Sequence, residues 1–205
     1  MLPPARSLKF QALFLSAAAL LVSGGCTFVP SHQVSIDAIS GPMTAVGGAY
    51  RLVDKDPFVV REPNQHKLVF ACVSAALDTK GIFEAPPGVQ PDFTIEVDYG
   101  SNRSIGMPRT SGMPATTENF LQLSARRRKT DGGAGKGEEI WNVRTTILEE
   151  RVDLSTLIPV LAAVSAEYIG QDTQVERSTK VSEKQPNVVL IKSVAQAVAM
   201  GRSAP

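Results

Sequence analysis

Two alternating runs joined by a glycine-rich turn constrain this chain more than any other feature. Leu121, Leu123 and Ala125 alternate with polar residues along the first run, and Trp141, Val143, Thr145 and Ile147 along the second; Asp131-Gly-Gly-Ala-Gly-Lys-Gly137 joins them. A period of two places each set on one face, so the pair reads as a β-hairpin with a buried side. Aligning the apolar faces gives facing residues a shared number sum of about 266, which pairs Ala125 with Trp141, Leu123 with Val143 and Arg127 with Glu139. A slip of one residue would turn the only tryptophan out of the core.

The flanking sequence supplies more strands and two helices. Val34-Ser-Ile-Asp-Ala-Ile39 alternates as a half-buried strand, and Ala49-Tyr-Arg-Leu-Val53 reads as a second, after a loop bracketed by Gly41-Pro42 and Gly47-Gly48. A helix is expected over 64 to 80, with Leu68, Val69, Cys72, Ala75 and Ala76 as its apolar stripe, Asn64 as cap and Gly81 as stop. Ala85-Pro-Pro-Gly88 then leads into Phe93-Thr-Ile-Glu-Val-Asp-Tyr99, a strand whose odd positions share a face, so strand, helix and strand form a βαβ-like crossover. Residues 100 to 118 read as a long loop. A second helix is expected over 153 to 168, striped by Leu157, Val160, Leu161, Val164 and Tyr168, interrupted by Pro159 and stopped by Gly170. Val175, Ser178 and Val181 suggest a further strand, and Pro186-Asn-Val-Val-Leu-Ile-Lys192 reads as the last. The expected fold class is α/β in the α+β sense: a mixed sheet of about five to seven strands with two helices mainly on one face.

Ahead of this domain lies the only long apolar run. Arg6 and Lys9 make a positive n-region, residues 10 to 22 an apolar h-region, and Ser23-Gly24-Gly25 lead to Cys26, as in a bacterial secretory signal. The run from Phe10 to Gly25 is 16 residues broken by Gln11, short of the roughly 20 needed to span a bilayer. This pattern resembles the lipobox of bacterial lipoproteins. The resemblance implies cleavage between Gly25 and Cys26, lipid attachment at Cys26, and, with Thr27 rather than an aspartate next, the periplasmic face of the outer membrane. Ser23 stands where that pattern has a bulkier aliphatic residue. The alternative is an ordinary signal peptide that leaves Cys26 a free thiol. The organisation is therefore 1–25 signal peptide, 26–33 tether and 34–205 a single domain.

Composition narrows the function classes. Arg6 and Lys9 leave with the signal, so 19 of the 21 basic residues remain against 20 acidic ones, a formal charge of −1. Such a balance does not point to nucleic acid. Cys72 is the only other cysteine and lies on the apolar stripe of the first helix, so it reads as a buried thiol and no intramolecular disulfide framework is expected. With two histidines and no cysteine or acidic cluster at ligand spacing, no metal or other cofactor is expected.

Candidate chemistry is sparse. Gly132-Gly-Ala-Gly-Lys-Gly137 looks superficially like a phosphate loop, but Thr130 and Gly137 stand where a glycine and a hydroxyl residue belong, and the context is strand-turn-strand, so no nucleotide is expected. Arg126, Arg127, Arg128 and Lys129 are candidates for an anionic surface; cross-strand pairing with Glu138 and Glu139 is the preferred reading. Glu149, Glu150 and Asp153 can serve as an acid and base, but helix capping is the simpler role. Met107, Arg109 and Met113, in a stretch that repeats Gly-Met-Pro, are candidates for a partner-binding loop. No serine nucleophile elbow is present.

The order of Cys26, Val34 to Ile39, Pro91-Asp-Phe-Thr-Ile95, the Trp141 strand, Leu157-Ile-Pro-Val-Leu161 with Tyr168-Ile-Gly170, and Val188-Val-Leu-Ile-Lys192 is similar to a domain-of-unknown-function family of small Gram-negative envelope lipoproteins. The resemblance implies an α/β envelope module and brings no catalytic residues. The expectation is a lipid-anchored interaction or structural module with an envelope protein partner and no catalysis. An accessory subunit of an envelope transport system, and then a periplasmic hydrolase, are the alternatives.

Overall fold

A computed structural model describes residues 29–41, 48–103, 116–127, 137–149 and 152–201. Seven strands form one mixed sheet: β1 (Ser31–Ser40), β2 (Ala49–Asp54), β3 (Phe83–Glu84), β4 (Phe93–Arg103), β5 (Thr117–Arg127), β6 (Glu139–Glu149) and β7 (Arg177–Ser182). Their spatial order is β3-β2-β4-β5-β6-β1-β7. β2 runs parallel to β3 and β4, and every other pairing is antiparallel. The helices are α1 (Pro63–Asp78), α2 (Leu154–Tyr168) and α3 (Pro186–Ala199). The architecture is an α+β fold.

The hairpin adopts the register set by its apolar faces. Leu121 faces Thr145, Leu123 faces Val143 and Ala125 faces Trp141. A bulge between Ala125 and Arg126 then shifts the pairing, so Glu139 faces Arg126 and not the expected Arg127. The βαβ crossover is also present, with Tyr50 paired to Phe93 and Asp54 to Val97 across α1. Alternating residues of β1, β4, β5 and β6 enter one core with Val69, Cys72 and Leu77 of α1 and Leu157, Leu161 and Val164 of α2. α2 is apolar nearly all round because the sheet and the other helices enclose it; Pro159 inside it leaves the Ser155 carbonyl without its usual i+4 donor.

Several local expectations are corrected. Residues 186 to 192 form no strand but open α3, because Pro186 occupies the first turn, where its missing N–H costs nothing, and the inward residues Val188, Ile191 and Ala195 recur at helical spacing. The described residues thus form three helices, not two. Glu62, not Asn64, caps α1; its carboxylate accepts the Asn64 and Gln65 amides at 3.1 and 2.6 Å. The loop expected over 100 to 118 is narrower, since β4 extends to Arg103 and β5 starts at Thr117. β1 starts at Ser31, so residues 31 to 33 belong to the sheet and not to a tether.

The register also orders the two ends of the sheet. Val34 faces Ile147, Ile147 faces Asn119 and Asn119 faces Ser101, so the start of β1, the end of β6, the start of β5 and the end of β4 share one end. Arg127, Glu139 and Phe93 lie at the other.

Candidate functional site

A set of paired ionisable groups surrounds the buried His32, at the end of the sheet where β1 begins. The strand alternation that buries Val34, Ile36 and Ala38 also turns His32 inward, leaving it 7% exposed. Its Nδ1 meets a Glu149 oxygen at 2.5 Å, and its Nε2 meets a Glu183 oxygen at 2.8 Å. Lys192 of α3 pairs with the other oxygen of Glu183. Burial alone would lower the His32 pKa, but the hydrogen bonds and charges of the two carboxylates outweigh it and raise the value. Burial would likewise raise the Glu183 pKa, and Lys192 and His32 together pull it below the ordinary carboxylate range. The two carboxylates thus favour a proton on the ring they enclose. Both ring nitrogens are engaged by carboxylate oxygens, so neither is turned toward open space. The cluster ties β1, β6 and the β7–α3 turn together.

Only non-local geometry creates this cluster. Glu149 and Glu183 lie 117 and 151 residues from His32, and neither distance leaves a trace in local patterning. The available signal was phase: His32 continues the even-numbered inward series of Val34, Ile36 and Ala38. Glu149 therefore does not cap α2. Asp153 occupies the cap position but its side chain makes no capping hydrogen bond.

A second cluster closes the gap where β2 stops short beside β4. Arg61 donates to the Tyr99 carbonyl at 2.7 Å and to Asp98 at 3.0 Å, and its guanidinium lies 4.0 Å from the Tyr99 ring centroid. Asp54 accepts from His66 Nε2 at 3.0 Å, and His66 stacks on Phe70. This resembles the base and orienting acid of a triad, but no serine, threonine or cysteine of the described residues is hydrogen-bonded to His66. Lys55 bridges Asp98 and Gln122.

The remaining candidates separate. Cys72 is buried, and burial pushes its thiol up to about 12, so it stays protonated. Arg126 pairs with Glu96 at 3.1 Å and with Glu139 at 2.7 Å. Arg127 is exposed, with its amide bonded to the Glu138 carbonyl. Arg128 and Lys129 lie outside the described residues, as do Gly24, Gly25, Cys26, Met107, Arg109, Met113, Glu150 and the phosphate-loop-like segment before Gly137. A groove of about 630 Å³ runs between α1 and α3 past Leu52, Phe70, Leu190 and Val194. Ser74 in its wall is hydrogen-bonded to the Tyr50 hydroxyl, whose pKa burial raises to about 12. Among the described residues no helix is long and apolar enough to cross a membrane, and no group of three or more histidine, cysteine or carboxylate side chains could hold a metal.

No family model matches the chain, and no curated protein matches it. Among solved structures, two PelC dodecamers from Paraburkholderia phytofirmans are similar at 14% and 12% identity. They cover 67% of this chain and 98% and 99% of theirs, with a TM-score of 0.44 in both cases. A PDZ domain protein from Parabacteroides distasonis is 14% identical, covering 83% of this chain and 43% of that one at a TM-score of 0.49. Resemblance at this level assigns no activity or partner.

Proposed function

We propose that this protein is a lipid-anchored module of the cell envelope, held at the periplasmic face of the outer membrane and acting through interaction or architecture, not catalysis. The observation that carries the reading is Gly24-Gly25-Cys26 at the end of a signal-like apolar run too short to span a bilayer. The start of β1 adds a geometric consequence. Only residues 27 to 30 separate Cys26 from Ser31, so the five Cα steps between them reach at most about 18 Å. An acylated Cys26 would hold the folded domain against the lipid headgroups. Several acyl chains, at about 0.8 kcal/mol per buried methylene, suffice for stable anchoring.

Both histidines are held by carboxylates. His32 is committed at both nitrogens, and the Asp54–His66 pair has no hydroxyl or thiol partner among the described residues. Mass spectrometry of the mature amino terminus tests the anchor: acylated Cys26 is the expected result, and an unmodified Cys26 or a start at another residue refutes it.

A further inference from the structure

Between β2 and α1 the chain turns through Asp56-Pro57-Phe58-Val59-Val60, and this turn displays its apolar side chains outward. Phe58 is 91% exposed, Val60 98% and Val59 49%. Isolated exposed apolar residues are ordinary, but three in succession on a held turn are not. The turn is pinned from both sides. The Phe58 amide donates to the Asp56 carboxylate at 3.0 Å and the Val59 amide to the Asp56 carbonyl. Lys55 and Arg61 on its flanks are tied to Asp98.

These same contacts engage the charged residues that flank the apolar tip in sequence. Asp56 is turned back onto its own loop, Glu62 caps α1, Lys55 pairs with Asp98, and Arg61 pairs with Asp98 and lies 3.6 Å from Asp54. Between Asp56 and Arg61 the exposed side chains Pro57, Phe58, Val59 and Val60 are all apolar. A segment of that character prefers the boundary between headgroups and acyl chains to water.

Its place in the fold matches that preference. β2 stops at Asp54, level with Val97 of β4, and the following residues continue alongside β4 toward Arg103; the Lys55 amide bonds the Val97 carbonyl and Arg61 reaches the Tyr99 carbonyl. This is the direction of the sheet end that also holds Ser31, from which the chain can reach Cys26 within about 18 Å. We infer that Phe58, Val59 and Val60 form a lipid-contact element that enters the surface of the same bilayer that holds Cys26, so that the domain meets the membrane at two points. This inference rests on the anchored reading above. The occupant is the lipid surface itself.

The test uses the full chain, acylated in a Gram-negative host and reconstituted into phosphatidylethanolamine–phosphatidylglycerol vesicles, with Phe58→Trp as reporter. Trp141 is buried and contributes a constant background. Val175→Trp is the control: Val175 is 69% exposed, and Thr173 beside it bonds the Ala38 carbonyl, seven residues along β1 from Ser31 and about 24 Å away. Reconstitution should shift emission of the Phe58→Trp protein to the blue, and lipids brominated on the acyl chain should quench most of the added signal, with neither change for Val175→Trp. A vesicle-bound protein whose added indole stays red and unquenched overturns the inference while the anchor stands. A blue shift without quenching overturns it as well, because it marks contact with protein, such as a second copy. A chain with unmodified Cys26 that fails to float with vesicles refutes the anchored reading, and this inference falls with it.

Discussion

Replacing His32 by Gln tests whether the carboxylate cage stabilises the fold through charge. Glutamine can still donate hydrogen bonds but cannot carry the proton that holds Glu149 and Glu183 at 2.5 and 2.8 Å. Removing one partner of a fully buried ion pair costs about 3–5 kcal/mol. Here the imidazole is buried but the Glu149 and Glu183 side chains are 26% and 21% exposed, so water screens part of the loss and about 2–3 kcal/mol is expected at pH 6. For a domain of this size that lowers Tm by about 5–10 °C. Urea unfolding followed by the emission of buried Trp141 measures it. The pH dependence separates charge from packing. The raised His32 pKa gives stability fully present below its ordinary value of 6.5 and lost as pH climbs through the folded value. The lowered Glu183 pKa gives stability present above its ordinary 4.5 and lost as pH falls through the folded value. The gap between native protein and variant should therefore be widest between these limits and narrow on both sides. An equal gap at pH 6 and pH 9 would refute the charge argument and leave only packing.

Other substitutions probe the rest of the fold. Val188→Ala and Ile191→Ala should each cost about 1–4 kcal/mol in urea melts and Leu190→Ala less than about 1, since Leu190 is half exposed; a costly Leu190→Ala with a cheap Ile191→Ala would restore a strand's alternation. Cys72 should resist thiol reagents in the native protein and react at the rate of unfolding, which a stopped-flow thiol assay in graded urea would show; fast native labelling would contradict its burial. Arg126→Met should cost about 1–3 kcal/mol in urea melts, because it strips the buried Glu96 carboxylate of a charged partner while the more exposed Glu139 loses little; a loss under about 0.5 kcal/mol would show that Glu96 does not depend on Arg126. Replacing residues 104 to 115, between the paired Arg103 and Thr117, by a short Gly-Ser linker should alter the set of co-purifying envelope proteins, and an unchanged set would dismiss this segment as the partner contact.

How much of this was legible depended on whether the determining contacts were periodic. The β5–β6 register followed from faces that alternate with a period of two, and β2–α1–β4 from a helical stripe between two strands. The bulge at Ala125/Arg126 was not legible, because it occurs where Arg126 is drawn to Glu96 on β4, a neighbour outside the hairpin. α3 was misread because Val188-Val-Leu-Ile is β-branched and apolar, while its helical character rests on Pro186 and on inward positions that continue past Lys192 to Ala195. His32 reads as part of a tether because its short polar surroundings hide the inward phase it shares with β1. The apolar tip at Phe58 carries no periodic signal, since a turn of five residues held by Asp56 repeats no face.

The two ends of the sheet give the molecule a polarity that bears on Arg126 to Lys129. β5 runs from Thr117 to Arg127, ten steps of about 3.4 Å, or about 34 Å. Thr117 lies at the end shared with Ser31, and the chain from Ser31 back to Cys26 spans at most about 18 Å. With Cys26 and the Phe58 turn both at one bilayer, the Arg127 end of β5 points away from it by most of the strand's length. The exposed Arg127 would then be too far from those lipids to read their charge, since salt screens exposed charges beyond about 8–10 Å. An anionic partner of this end would have to be a polymer or protein on the periplasmic side. Arg126 is already engaged with Glu96 and Glu139, so of the described part of the run Arg127 is the side chain left for such a partner. A lipid-binding role for the basic run and a lipid-contact role for the Phe58 turn are therefore mutually exclusive at a single membrane, and quenching at Phe58→Trp decides between them.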